Sequence, residues 1–209
     1  MTSAQDHKRA KDGDQGLNTG GMGTFSPSPF YNDEVEAFCE KYVYQSTIDA
    51  MASEGRPFTG ILFTGLMITE DGPKVLEYNA RFGDPEAEVI LPRLESDFVQ
   101  AILDLMDNKP VELKWTDKVS HGVVLASTNY PASSTKGSLI TGVDDVDGLV
   151  FHMGTKMTDE GLVTDGGRVL MVVTLEDDLQ TAFDHTYKEL EKIQCKDLFH
   201  RNDIGKKDM

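Results

Sequence analysis

Val75-Leu76-Glu77-Tyr78-Asn79-Ala80-Arg81-Phe82-Gly83-Asp84-Pro85-Glu86 is an apolar run that ends in a carboxylate, an amide and a guanidinium. In an extended strand alternate side chains point to one face, so Glu77, Asn79 and Arg81 are predicted to project into the same space. Two oxygen donors beside a planar cation suit Mg²⁺ carrying phosphates, because magnesium takes a few protein oxygens and keeps water and phosphate oxygens for the rest. Arginine can then grip a phosphate or carboxylate with two parallel bonds. The same alternation also fits the solvated polar face of an edge strand.

Upstream, Gly60 to Thr69 reads as an apolar strand, Asp71-Gly72 as a hairpin turn and Lys74 to Asn79 as the returning strand, which puts the polar trio at a strand end. Before it, Asn32 or Asp33 caps a helix whose apolar positions Val35, Phe38, Cys39, Tyr42 and Val43 have helical spacing, with Gly55 as terminator. Asp12 to Pro29 reads as a loop, dense in glycine and closing on Ser26-Pro27-Ser28-Pro29. Its Gly20-Gly21-Met22-Gly23 segment fits either backbone N–H groups presented to an anion or a flexible connector. It lacks the lysine and the strand-to-helix setting of a P-loop.

Downstream, Asp84-Pro85-Glu86 caps a short helix, and Glu95 to Asn108 forms another with Phe98, Ile102, Leu105 and Met106 inward. Lys109-Pro110 reads as a boundary, dividing the chain into 1–109 and 110–209. The second part carries strands over Ser120 to Thr128, Gly148 to Lys156 and Arg168 to Thr174. Asp178 then caps a helix bearing Leu179, Phe183, Tyr187 and Leu190. The fold class is α+β, a mainly antiparallel sheet with helices followed by a small α+β module. Asp197 to Gly205 is a polar tail, and Lys206 to Met209 reads as disordered.

The 209 residues carry a formal charge of −16, which argues against a nucleic-acid partner because no basic stripe offsets phosphate repulsion. A locally positive pocket for an anionic substrate can come from Lys8, Arg9 and Arg81. Cys39 and Cys195 have no partners at disulfide or zinc spacing, and a reducing cytoplasm fits. No apolar run approaches the roughly 20 residues of a membrane span, and the start has no signal-peptide pattern. His121, His152 and His185 lack ligand spacing and read as structural, and no serine sits in a nucleophile elbow. Gln5 to Arg9 is a dense polar cluster for a chain start, reading either as a mobile basic tail or as the sign of a longer polypeptide. Asp6, His7, Lys8 and Arg9 mix a carboxylate with cations, which suits either holding an amino acid or steering phosphates, or a surface charge cluster.

Four segments, Gln5-Asp6-His7-Lys8-Arg9, Asn18-Thr19-Gly20-Gly21-Met22-Gly23, Glu77 to Glu86 and Arg201-Asn202-Asp203-Ile204-Gly205, resemble in content and order the glycinamide ribonucleotide synthetases, or phosphoribosylamine–glycine ligases, of the ATP-grasp superfamily. The resemblance spans essentially the whole chain and covers only the carboxyl-terminal half of such an enzyme. The amino-terminal half is the implied missing partner. It implies a partial ATP-grasp domain and joining of glycine to 5-phosphoribosylamine, with ATP cleaved to ADP and phosphate through glycyl phosphate. Glu77 and Asn79 then resemble Mg²⁺ ligands, with Mn²⁺ as a substitute, and Arg81 the cation that stabilises the transferred group. Asp6, Lys8, Asn18, Thr19, Gly20, Gly21 and Gly23 resemble substrate- or phosphate-contacting positions. Many superfamily members carry an acidic ligand on the preceding strand, whereas Gly60 to Thr69 has no carboxylate. Metal binding without nucleotide is therefore expected to be weak, and the chain alone inactive. The other readings are a non-catalytic binding or assembly module, and half of a split ATP-grasp ligase with a different acid and amine.

Overall fold

The computed structural model describes all 209 residues. In chain order it builds β1 (Gln5–Asp6), β2 (Arg9–Lys11), β3 (Gln15–Asn18) and β4 (Gly23–Ser26), then α1 (Asp33–Cys39) and α2 (Gln45–Ser53). The hairpin β5 (Phe63–Thr69) and β6 (Gly72–Asn79) precedes the helices α3 (Ala87–Ile90) and α4 (Phe98–Met106). Strands β7 (Val119–Ser127), β8 (Leu149–His152), β9 (Thr155–Thr158), β10 (Gly161–Thr164) and β11 (Arg168–Glu176) lead to α5 (Leu179–Leu190) and β12 (Leu198–Phe199). No helix is long and apolar enough to cross a membrane.

The chain divides into two compact units. One comprises Ser28–Gly83 and Leu94–Lys114 together with Met1; the other comprises Thr2–Pro27, Asp84–Arg93 and Trp115–Met209. The border nearest the expected cut at Lys109-Pro110 is Lys114/Trp115. Thr2–Pro27 sides with the second unit because β1 pairs with β4 and β4 pairs with β7, all antiparallel. Backbone ladders thus outrank sequence proximity in deciding what folds with what.

In the first unit, a helix runs from α1 through a π-type turn at Glu40–Tyr44 into α2. The Asn32 side chain accepts from Val35 N at its start, and Gly55 closes its end at φ +73°. Cys39 and Val43 are its buried side chains, and the hydroxyls of Thr47 and Tyr78 meet at 2.9 Å to tie it to the hairpin. Helix α4 departs from expectation. Ile102 and Met106 are exposed and Phe98 and Leu105 half-buried; Phe98 meets the Phe82 ring at 5.9 Å, and the rest of the apolar stripe is largely uncovered.

In the second unit, the antiparallel order β1-β4-β7-β11-β8, with β12 also paired to β7, makes a six-stranded sheet. Val123, Val124 and Leu125 of β7 and Val169 to Val173 of β11 form its core with Leu190, Ile193 and Ile204. The expected loop over Asp12 to Pro29 is corrected here: β3 and β4 lie inside it, and all of Gly23–Ser26 is buried. A Cβ at Gly23 would stand 2.7 Å from the Gly122 carbonyl, so this strand needs a residue without a side chain where it meets β7. The single strand expected over Gly148 to Lys156 is two, β8 and β9, separated by Met153-Gly154. Lys206–Asp208, expected as disordered, forms a 3-10 turn held by Lys207 to Asp14 and by Gln5 to Asp208, both at 2.9 Å. Asp178 caps α5 by accepting from Thr181 N at 2.8 Å.

Candidate functional site

The richest cluster of buried charge lies in the second unit. β1 delivers Asp6, the next residues deliver Lys8, and the turn into α3 delivers Glu86. The Lys8 ammonium pairs with Asp6 Oδ2 and lies 3.8 Å from Glu86 Oε1. Burial, reinforced by the Glu86 charge and opposed by Lys8, pushes the Asp6 carboxyl up to about 7. Burial also raises Glu86 and Glu88. A carboxyl so placed holds or releases a proton near neutrality.

The glycine loop closes over this pair. Thr19 N and Oγ1 donate to the Lys8 carbonyl at 2.8 and 2.9 Å, Gly21 N donates to Thr19 Oγ1 at 2.9 Å, and Gly20 N donates to the Tyr130 hydroxyl at 2.9 Å. Arg168 at the start of β11 donates to the carbonyls of Gly20 and Asp84 at 3.3 and 3.2 Å and pairs with the Asp84 carboxylate at 2.9 Å. A Cβ on Gly21, whose φ is +125°, would lie 2.6 Å from Asp6 Oδ1 and 2.5 Å from Pro85 Cδ. Only glycine lets the backbone rest on the carboxylate. The structure therefore brings together Asp6, Lys8, Thr19, Gly20 and Gly21. Asn18 pairs with Arg9 across β2 and β3 and is exposed, and Gly23 is a buried strand position. Glu86, Tyr130 and Arg168 were missed as site residues. Glu86 was visible only as a helix cap, a role its side chain does not perform, and Tyr130 and Arg168 are separated from the loop by more than a hundred residues of sequence.

In the first unit, Glu77 and Asn79 occupy the end of β6 on one face, and Asn79 Nδ2 donates to Glu77 Oε1 at 3.3 Å. A bulge at Leu76 precedes them, and opposite Glu77 stands Gly65, where a Cβ would come within 3.2 Å of Glu77 Cγ. The Asn79 amide directs nitrogen at the carboxylate, so two oxygens, Glu77 Oε2 and Asn79 Oδ1, have no hydrogen bond from each other. Both are hard donors of the kind magnesium takes, and the residues fit that ion. Arg81 departs from the strand alternation. β6 ends at Asn79, and the exposed Arg81 guanidinium donates to the adjacent Phe82 carbonyl at 2.6 Å.

His121 is fully buried, its ring nitrogens bonded to Thr186 Oγ1 and the Ile204 carbonyl, both at 2.9 Å. His152 bonds Thr155 Oγ1 and His185 bonds Glu176, each within its own hairpin or helix region.

Two family models cover most of the chain: "Phosphoribosylglycinamide synthetase, ATP-grasp (A) domain" matches residues 1–87, and "Phosphoribosylglycinamide synthetase, C domain" matches residues 120–207. The chain belongs to the phosphoribosylglycinamide synthetase family. A phosphoribosylamine–glycine ligase of Halalkalibacterium halodurans is 51% identical over 99% of this chain and 49% of its own length. The trifunctional purine biosynthetic protein adenosine-3 of Gallus gallus is 46% identical over 98% of this chain and 21% of its own length. The crystal structure of a Thermotoga maritima phosphoribosylamine–glycine ligase superposes with a TM-score of 0.88 at 35% identity, over 96% of this chain and 50% of that one. The chain thus spans about half the length of the single-function ligases it matches. The ATP-grasp fold is shared with more distant proteins such as a Campylobacter jejuni biotin carboxylase, TM-score 0.56 at 11% identity.

Proposed function

We propose that this member of the phosphoribosylglycinamide synthetase family is the carboxyl-terminal part of a cytoplasmic ligase that joins glycine to 5-phosphoribosylamine, with ATP cleaved to ADP and phosphate. The observation that carries the reading is the pair of buried carboxyls, Asp6 and Glu86, met by the exposed Lys8 side chain and closed by the Gly20-Gly21 turn, in a chain that shares 51% of its residues with such a ligase. The functional division is 1–109 for the ATP-grasp part and 110–209 for the carboxyl-terminal domain, a reading supported by family matches over 1–87 and 120–207.

The glycine carboxylate oxygen attacks the γ-phosphorus of ATP and ADP leaves. The amine of phosphoribosylamine then attacks the acyl carbon of glycyl phosphate, phosphate departs, and the nitrogen sheds a proton. Glu77 and Asn79 hold Mg²⁺, or Mn²⁺ in its place, and the bound ion supplies charge neutralisation of the nucleotide phosphates. Arg81 offers its guanidinium to the charge that builds on the transferred phosphoryl group. Asp6, Lys8, Thr19, Gly20 and Gly21 line the substrates, with Asp6 placed to take the amine proton and Lys8 to meet an anionic group, while Asn18 and Gly23 only frame the loop from β3 and β4. The amino-terminal half completes the nucleotide site.

Calorimetric titration of MgATP into this chain, with and without a supplied amino-terminal half, tests the reading. Binding and glycinamide ribonucleotide formation only in the mixture are expected. Robust turnover by the 209-residue chain alone, or none in the mixture, would overturn it.

A further inference from the structure

Around Lys8 Nζ stand the Asp6 carboxylate, Glu86 Oε1 at 3.8 Å and the Gly20 carbonyl at 3.5 Å, the last shared with Arg168. An ammonium has three N–H donors and nothing to accept with, so this set is matched to one primary ammonium group. The acceptors and their occupant differ in burial. The side chains of Asp6 and Glu86 are each only 8% exposed, whereas that of Lys8 is 52% exposed. The carboxyls are fixtures of the interior, and the ammonium reaches them from solvent on a flexible four-carbon stem.

Beyond the Lys8 ammonium and the His7 backbone, no donor meets the buried Asp6 carboxylate, so its charge depends largely on the cation that occupies this place. The other charged groups acting on the pair are Asp84, Glu88 and Arg168, and Arg168 is already engaged by Asp84 and the Gly20 carbonyl.

We propose that Asp6, Glu86 and the Gly20 carbonyl form a subsite for the primary amino group of a small substrate, with Lys8 as its stand-in until that substrate displaces it. The proposal rests on the ligase reading and deepens it, since glycine and phosphoribosylamine both carry such a group. Glu86 becomes a specificity-determining residue, and the displaced Lys8 ammonium is delivered to the anionic end of the same substrate.

Lys8 is tethered two residues from Asp6 and competes at an effective concentration of about millimolar or more. Removing it should therefore tighten binding of an external amine. Glycine, methylamine, trimethylglycine and a stable amino-sugar phosphate are titrated calorimetrically into the wild-type chain and into Lys8→Met. The same set is titrated into Lys8→Met combined with Asp6→Asn or with Glu86→Gln, each checked for native circular dichroism. Methylamine is expected to bind Lys8→Met at least tenfold more tightly than wild type, trimethylglycine not at all, and each added carboxyl substitution to reverse the gain. Stronger binding of glycine assigns the subsite to the amino acid, and stronger binding of the amino-sugar phosphate assigns it to the other amine; both support the proposal. No gain in Lys8→Met, or a gain untouched by Glu86→Gln, overturns it. Should Asp6→Asn fail to fold, Glu86→Gln decides alone. Amine binding here with no turnover when the amino-terminal half is supplied overturns the ligase reading and leaves the subsite standing. Turnover with an unchanged KM for both amines in Glu86→Gln does the reverse.

Discussion

Arg201 grips Asp203 through two parallel bonds, Nε to Oδ1 at 2.8 Å and Nη2 to Oδ2 at 2.9 Å, although the arginine side chain is only 1% exposed. The remaining nitrogen, Nη1, donates to Asp14 Oδ1 and to the Arg9 carbonyl, both at 3.0 Å, and Asp203 Oδ2 accepts from Gly13 N at 2.7 Å. One planar fork thus fastens the carboxyl-terminal segment to the β2–β3 ribbon next to the proposed substrate loop. Removing one member of a buried pair leaves the other charges desolvated without a partner. Arg201→Met is expected to lower stability by about 3 kcal/mol, and Arg201→Lys by less, since it keeps the charge but loses the fork. Urea midpoints would measure both, and amide exchange in Gln15–Asn18 should speed up in the methionine variant. Equal midpoints for wild type and Arg201→Met would contradict the assignment.

Two buried histidines make the fold acid-sensitive. Burial holds His7 and His121 each down to about 4, the positive charges of Arg201 and Lys207 adding to the effect at His7. In the unfolded chain an imidazole titrates near 6.5. Above that pH the folded state has its full share of this stability. On acidification from 6.5 to 4, the unfolded chain binds protons that the folded one refuses, so stability falls by on the order of 3 kcal/mol per histidine. Asp6 acts with the opposite sign: its raised carboxyl binds a proton in the folded state between about 7 and 3.8, and acidification through that window favours folding. Asp6→Asn removes this offset. Its urea midpoint should drop more steeply than that of wild type between pH 6.5 and 4.5, and a flatter profile would refute the sign.

Local chemistry was legible where one side chain acts on its own backbone. Asp178 and Asn32 cap their helices and Gly55 ends one because these devices work within four residues. Glu77 and Asn79 share a face because the period of a strand is two. The same rule failed at Arg81, where the strand had already ended. Long-range facts left no such trace. Gly23–Ser26 is a central strand only because β7, a hundred residues later, lies beside it, and its glycine and serine look like loop until that neighbour is known. Glu86 meets Lys8 across 78 positions, and no spacing rule reaches that far. Helix α4 has an amphipathic pattern that states which face is apolar, but not whether anything covers it.

The Gly20-Gly21 turn should be intolerant of even one carbon. Gly55 and Gly21 both have positive φ, +73° and +125°, but a Cβ at Gly55 meets nothing within 4 Å whereas one at Gly21 overlaps Pro85 and Asp6. Gly55→Ala is therefore expected to cost only the backbone term, about 1 kcal/mol, and Gly21→Ala at least about twice that, because the loop must lift off the carboxylate. Thermal unfolding compares the two. Asp6, rehydrated in Gly21→Ala, should titrate at a lower pH by carboxyl-carbon NMR. An unchanged Asp6 titration would show that the loop does not seal it.

The uncovered stripe of α4 gives the reverse expectation. Met106 is 71% and Val99 66% exposed, so Met106→Lys and Val99→Lys bury no charge and remove almost no packing. Each should leave the urea midpoint of this chain within about 0.5 kcal/mol of wild type. An inward Met106 would instead cost several kcal/mol on receiving a charge. A large loss in Met106→Lys would return α4 to the orientation its sequence suggested.

Glu77 and Arg81 are given different tasks, and two substitutions separate them in the chain supplemented with its amino-terminal half. Glu77→Gln exchanges a charged oxygen donor for a neutral one, so its deficit should appear as weakened metal affinity and shrink as Mg²⁺ or Mn²⁺ is raised. Under the proposed function, Arg81→Ala removes the positive charge assigned to the transferred group, and no metal concentration replaces it. Turnover should fall by about 10²–10³ at every Mg²⁺ level, with MgATP binding nearly intact. Because the Arg81 guanidinium lies exposed against the Phe82 carbonyl, neither substitution should disturb the fold. Metal rescue of Arg81→Ala, or near-normal turnover in it, would move the cationic role to another residue.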